Sequence, residues 1–168
     1  HPSFIIANRI RMLLSTPLLS DFLGLALFND DAWACELASK IAALVEVEAP
    51  EVWELEINQD MAPAFCGAIA AGNTMMLRDM LASPQDREQQ LPCIALMHVR
   101  NENRVLLPEP EQTLKQGDRL LFCGRGAVYS MMSWGMLNEN VLSYIKTGQA
   151  RPEGAFWRML RRMQRKTG

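Results

Sequence analysis

The residues best suited to chemistry crowd into one short stretch, HVRNENRVLLP. His98 closes an apolar run, Arg100 and Arg104 flank an asparagine-rich turn, and Pro108 ends the run that follows. A guanidinium can donate two parallel hydrogen bonds to a phosphate or carboxylate, so His98, Arg100, Arg104 and Pro108 form the candidate ligand site. The plainer alternative is a pair of surface arginines either side of a turn. Nucleophilic catalysis needs a nucleophile, a base and an orienting group brought together, and nothing in the sequence supplies that set. The chain is therefore expected not to be an enzyme.

Other chemistry is scarcer. The four cysteines, Cys35, Cys66, Cys93 and Cys123, are far apart, with no CxxC and no neighbouring histidine. Zinc sites need ligands paired at short spacing, so these thiols read as small buried hydrophobes in a reducing compartment. The acids between residues 46 and 60 could converge on a hard cation, but Glu54 and Glu56 alternate with apolar residues and fit the wet face of an edge strand. Asp118 follows Gly117 at the head of an apolar run and reads as a turn residue that satisfies its own backbone.

The elements that must position these residues follow from hydrophobic period. A helix is expected after Ser3, with Ile6, Ile10, Leu13 and Leu14 on one face. Thr16-Pro17 stops it and starts a second, whose Leu18, Leu19, Phe22, Leu23, Leu25, Leu27 and Phe28 leave little polar surface. A second copy of the chain is one source of the missing cover. A third helix after Asn29-Asp30-Asp31 sets Trp33, Leu37, Ile41 and Leu44 in register. At Pro50 the period changes from helix to strand. EVWELEI alternates, residues 61–81 are mixed with a helical turn or two at 77–81, and PCIALMHV is a central strand. RNEN is a hairpin turn, RVLL returns, and Pro108 and Pro110 stop it because proline cannot donate to a sheet ladder. Gly117-Asp118 opens the strand DRLLFC, which leads into a helix over 127–137, and NVLSYI reads as a further strand. The class is α+β: a helical segment, then a small, mostly antiparallel sheet with helices on one face, then a basic helix.

Net charge is −2, so the total points to no nucleic-acid partner. From residue 30 to 60 Lys40 is the only base; from 146 onward Glu153 is the only acid. That basic tail can dock on its own domain, on another subunit, or on an anionic membrane surface. No apolar run approaches the roughly 20 residues that span a bilayer. The sequence starts at His1 within a helical pattern and is expected to be a piece of a longer protein.

Residues 51–132 resemble the C-terminal lobe of RCK domains, the TrkA C-terminal type found on potassium channels and transporters. WELEI matches the first strand, GNTMMLRDM the G-x-T-L-x-x-L helix, and CIALMHVRNENRVLLPEPEQTLKQGDRLLFCG the strand, turn, proline and T-L-x-x-G-D-x-L run with its final glycine. FIIANRIRMLLSTP is similar to the corresponding helix of the Castor/Pollux-like ion channel group. The resemblance implies a dimerising helical crossover over 1–48, an RCK-like lobe over 49–137 and an extension over 138–168. It also implies a cytosolic regulatory domain on the inner face of the membrane, joined to a transmembrane pore part of its own or a partner chain. Such a domain would be a homo-oligomer whose lobes move when a small anionic or nucleotide effector binds near His98, Arg100, Arg104 and Pro108. The loop over 83–90 is longer than the family's, and the chain beyond 137 lies outside its pattern. No GxGxxG is present, so the cofactor stays unassigned. The alternatives are a nucleotide-dependent enzyme without its cofactor lobe, and a purely structural oligomerisation module.

Overall fold

The computed structural model describes residues 17–26, 29–45 and 50–149. The helix expected after Ser3, Leu27 and Phe28 of the second helix, and the basic helix near the end lie outside the described residues. In chain order the elements are α1 (Pro17–Ala26), α2 (Asp31–Val45), β1 (Glu51–Glu56), α3 (Pro63–Ala70), β2 (Met75–Met76), α4 (Leu77–Leu81), β3 (Cys93–Arg100), β4 (Asn103–Leu106), β5 (Thr113–Leu114), β6 (Arg119–Gly124), α5 (Gly126–Leu137) and α6 (Glu139–Thr147). Four strands form an antiparallel sheet in the order β1-β6-β3-β4, and β2 pairs with β5 in a second ladder. The fold is α+β.

The chain divides into two compact units, both discontinuous in sequence. The first holds the described residues up to Glu56 with Pro92–Glu109 and Gly117–Tyr129, and so contains the four-stranded sheet. Strand register decides its faces. Val52 stands opposite Cys123 and Met97 opposite Leu121, which puts one row of apolar side chains beneath the helices. Leu18, Leu19 and Phe22 of α1 and Leu37 of α2 pack on Met97, Val99, Leu121 and Cys123. Each such side chain buried stabilises by about 1.5–3 kcal/mol. On the opposite face Trp53 stacks on Phe122, ring centroids 5.9 Å apart, and meets Tyr129 edge-on at 6.3 Å.

Capping explains where the helices begin. Pro17 heads α1, and the Glu54 carboxylate on the sheet accepts the Leu18 N–H at 3.5 Å. Glu54 is thus half-buried under a helix end. It does not lie on an open wet face, although β1 is an edge strand as expected. Asp30 accepts the Trp33 N–H at 2.8 Å and starts α2, whose Leu37 is buried with Trp33 and Ile41 beside it. The hairpin between β3 and β4 turns on Asn101, which takes φ 55° as an asparagine tolerates. A bulge between Ala95 and Met97 lets β3 keep its apolar row through the kink.

The second unit holds Ile57–Leu91, Pro110–Gln116 and the described residues from Ser130 on. The Leu77 and Arg78 N–H groups donate to Gln112 and Pro110, so the proline-rich segment lies along β2 and the start of α4. The stretch NVLSYI is not a strand but part of α6. Asn138 accepts from the Asn140 and Val141 N–H groups, and left-handed Gly148 (φ 74°) ends the helix by donating to Tyr144. Its buried residues Val141, Leu142 and Ile145 fit period 3.6, and the two caps select helix over strand. A helix absent from the sequence reading, α3, occupies 63–70 and buries Ala64, Phe65 and Cys66. Among the described residues no helix is long and apolar enough to cross a membrane.

Two glycines should respond in opposite directions. A Cβ on Gly124 would sit 2.8 Å from the Cys93 Cβ and the Pro92 carbonyl oxygen. Gly124→Ala is expected to cost about 1–3 kcal/mol. Gly24, inside α1, has nothing within 4 Å. Gly24→Ala should stabilise by about 0.5–1 kcal/mol. Urea unfolding midpoints of the two variants check both signs.

Candidate functional site

His98 and Arg100 are two residues apart on β3 and share the face opposite α1 and α2. Asp118 arrives from the neighbouring strand, where Gly117 at φ 91° turns the chain into β6. Only 1% of Asp118 is exposed, and 3% of His98. The carboxylate is held from two sides. Arg100 donates Nε to Oδ1 at 2.9 Å and Nη2 to Oδ2 at 2.8 Å, while His98 Nε2 lies 2.8 Å from Oδ2. An ionised carboxylate can only accept, so the imidazole proton facing it sits on Nε2. The Arg100 pKa is raised by its hydrogen bonds to Asp118; burial opposes this and the carboxylate's charge adds to it.

Of the four residues marked by sequence, the fold brings two together and separates the others. Arg104 stands opposite Val99, on the helix-covered face, and donates Nε and Nη2 to Asp21 Oδ2 of α1 at 3.2 and 3.1 Å. Both partners of that pair are about two-fifths exposed. Pro108 is buried behind Leu107, which holds φ 46° and donates its N–H to the Leu96 carbonyl. The residue that sequence reasoning undervalued is Asp118. It does follow a glycine turn, but its side chain is the shared acceptor of a buried cluster. The signal was the spacing of His98 and Arg100, which on a strand puts two donors on one face.

Chemically this cluster can compensate a buried charge and hold a turn in place. Among the described residues no serine, threonine or cysteine hydrogen-bonds His98, and no group of three or more His, Cys, Asp or Glu could hold a metal ion. All four thiols are free. Burial pushes Cys93 up to about 12 and Cys123 up to about 11, and raises Cys66, while Cys35 is exposed on α2.

No family model and no curated protein matches the chain. Among solved structures, S. agalactiae BusR in complex with its busAB-promotor DNA is similar over 82% of this chain and 53% of that one, with 16% identity and a TM-score of 0.33. The chain thus spans about half the length of that structure's chain.

Removing the charge of the shared acceptor should be costly. Asp118→Asn takes the counter-charge from the partly buried Arg100 and changes the acceptor facing buried His98, and is expected to cost about 2–3 kcal/mol. Arg104→Ala breaks an exposed pair and should cost no more than about 1 kcal/mol. Chemical denaturation of both variants measures the contrast. A thiol reagent at pH 8 should titrate Cys35 quickly in the native chain, and the other three cysteines only after urea is added.

Proposed function

We propose that this chain is a cytosolic regulatory module of a potassium channel or transporter, acting as a homo-oligomer that responds to a small anionic effector. The observation carrying this reading is the work done by TLKQGDRL, the run that bears the resemblance to RCK C-terminal lobes. Thr113 and Leu114 form β5, Gly117 makes the turn, Asp118 is the clamped carboxylate and Leu120 is fully buried. Each residue type that the run specifies has a physical reason to be there.

Two further features support a responsive module. α1 buries Leu18, Leu19 and Phe22 against the sheet and leaves Leu23 46% exposed on its outer side, a contact point open to a second copy. Arg104 joins the hairpin to α1 through an exposed pair with Asp21, and such pairs are weak. An incoming phosphate or carboxylate would compete with Asp21 for that guanidinium and loosen the hairpin from the helix. An effector shifts an equilibrium only through such a difference in affinity between two arrangements. The connected pore part would read the shift.

Light scattering at micromolar concentration should give about twice the 19.0 kDa chain mass. A monomer there would remove the oligomeric part of this reading. A thermal-shift screen of nucleotides should find a ligand that stabilises the chain by about 2.7 kcal/mol at a hundred times its dissociation constant. That shift should be reduced in Arg104→Ala. An oligomer with no ligand response would favour a purely structural role.

A further inference from the structure

The second unit contains a cavity of about 420 Å³ into which three basic side chains converge from three different elements. Arg78 comes from α4, Arg87 from the loop before β3, and Lys146 from the last turn of α6. That volume lies in the usual range for small-molecule sites. Two carboxylates share the lining, Asp79 and Glu88, but neither neutralises the arginines well. Asp79 Oδ2 is taken by the Met76 N–H at 2.8 Å and the Lys146 ammonium at 3.3 Å. Glu88 is 84% exposed and among the described residues reaches only Arg87 Nε, at 3.7 Å.

Arg78 is the telling member. Its Nη2 donates to the Met76 thioether at 3.4 Å, and among the described residues no carboxylate lies within ion-pair distance of it. Sulfur is a weak acceptor, so this guanidinium keeps its capacity for a stronger one. Arg87 lies over the turn that ends α6, so close that a Cβ on Gly148 would meet its Nη1 at 2.8 Å. A cation near a helix C-terminus has a structural use there. That use does not extend to Arg78, which belongs to a different helix. Lys146 is anchored by the Thr74 carbonyl at 3.0 Å as well as by Asp79, so its charge is held at a defined point on the wall.

We infer that this cavity binds a small phosphate-bearing anion, with Arg78 and Arg87 as the forked donors and Lys146 as a fixed positive charge. Two planar forks with an ammonium beside them match the oxygens of a phosphate group. Arg87 and Lys146 come from the loop over 83–90 and the segment beyond 137, the two places where the sequence departs from the RCK pattern. The site is therefore a property of this chain and does not depend on the proposed gating role or on Arg104.

The same phosphate chemistry is offered by a free anion and by a lipid headgroup, so two probes are used on the full chain. Inorganic pyrophosphate is titrated by calorimetry and thermal shift, and phosphatidic acid vesicles are compared with phosphatidylcholine vesicles by co-sedimentation. Saturable binding of either probe is expected, tenfold or more weaker in Arg78→Ala and Arg87→Ala, and unchanged in Arg104→Ala and Lys40→Ala. Arg78 is exposed, so Arg78→Ala should keep the wild-type unfolding midpoint, which separates lost binding from lost fold. Binding by pyrophosphate identifies a soluble ligand, and binding only by phosphatidic acid identifies a lipid one. Binding of neither probe overturns the inference. So does binding that survives in Arg78→Ala, or that falls equally in Lys40→Ala.

Discussion

A carboxylate that is 1% exposed must be compensated, and the first unit is organised around that need at Asp118. Burying an ion costs several kcal/mol unless geometry and hydrogen bonds repay it. Here Arg100 supplies two bonds in its forked geometry and His98 a third contact. For those donors to meet the carboxylate, β3 and β6 must be neighbours, and their register must put Val99 opposite Arg119. A one-residue slip would carry His98 and Arg100 to the other face, under α1 and α2, and strand the charge. The cluster therefore specifies register as well as contributing to stability.

With β3 and β6 fixed, the rest of the sheet has little freedom. β4 is joined to β3 by a tight hairpin, and β1 adds to the open side of β6. The apolar row of Met97, Val99, Leu121 and Cys123 then faces one way, and α1 and α2 cover it. Glu54 and Arg104 act at the rims of that interface, through the Leu18 N–H and Asp21. Both contacts are long or exposed, so they orient α1 more than they stabilise it.

What could be read from sequence was local. Alternation in EVWELEI, the asparagine turn after Arg100, the prolines after β4 and the helix start after Asn29-Asp30-Asp31 each depend on residues a few positions apart, and each appears in the structure as expected. The Asp118 cluster was hidden because its partners lie 18 and 20 residues away, while the sequence neighbours showed only a glycine turn. NVLSYI is ambiguous in sequence for a related reason. Its six residues suit a strand as well as a helix, and the decision lies in Asn138 before it and Gly148 after it. PAFCGAIA carried no clear signal, since a helix of small and apolar residues has no polar face to mark its period.

The arginines divide according to what already holds them, and that division decides which can serve a ligand. Arg100 is bound bidentately to a buried acid, and taking it away would leave Asp118 uncompensated. It is the arginine least able to change partners, although the sequence alone makes it as attractive as any. Arg104 shares an exposed carboxylate at 3.1–3.2 Å, a partner that an anion of higher charge can displace. Among the described residues Arg78 has only a thioether. Ligand competence thus increases as the strength of the internal partner falls. A guanidinium beside a turn motif draws the eye in sequence, but the one left with the weakest acceptor has the most to gain from a phosphate.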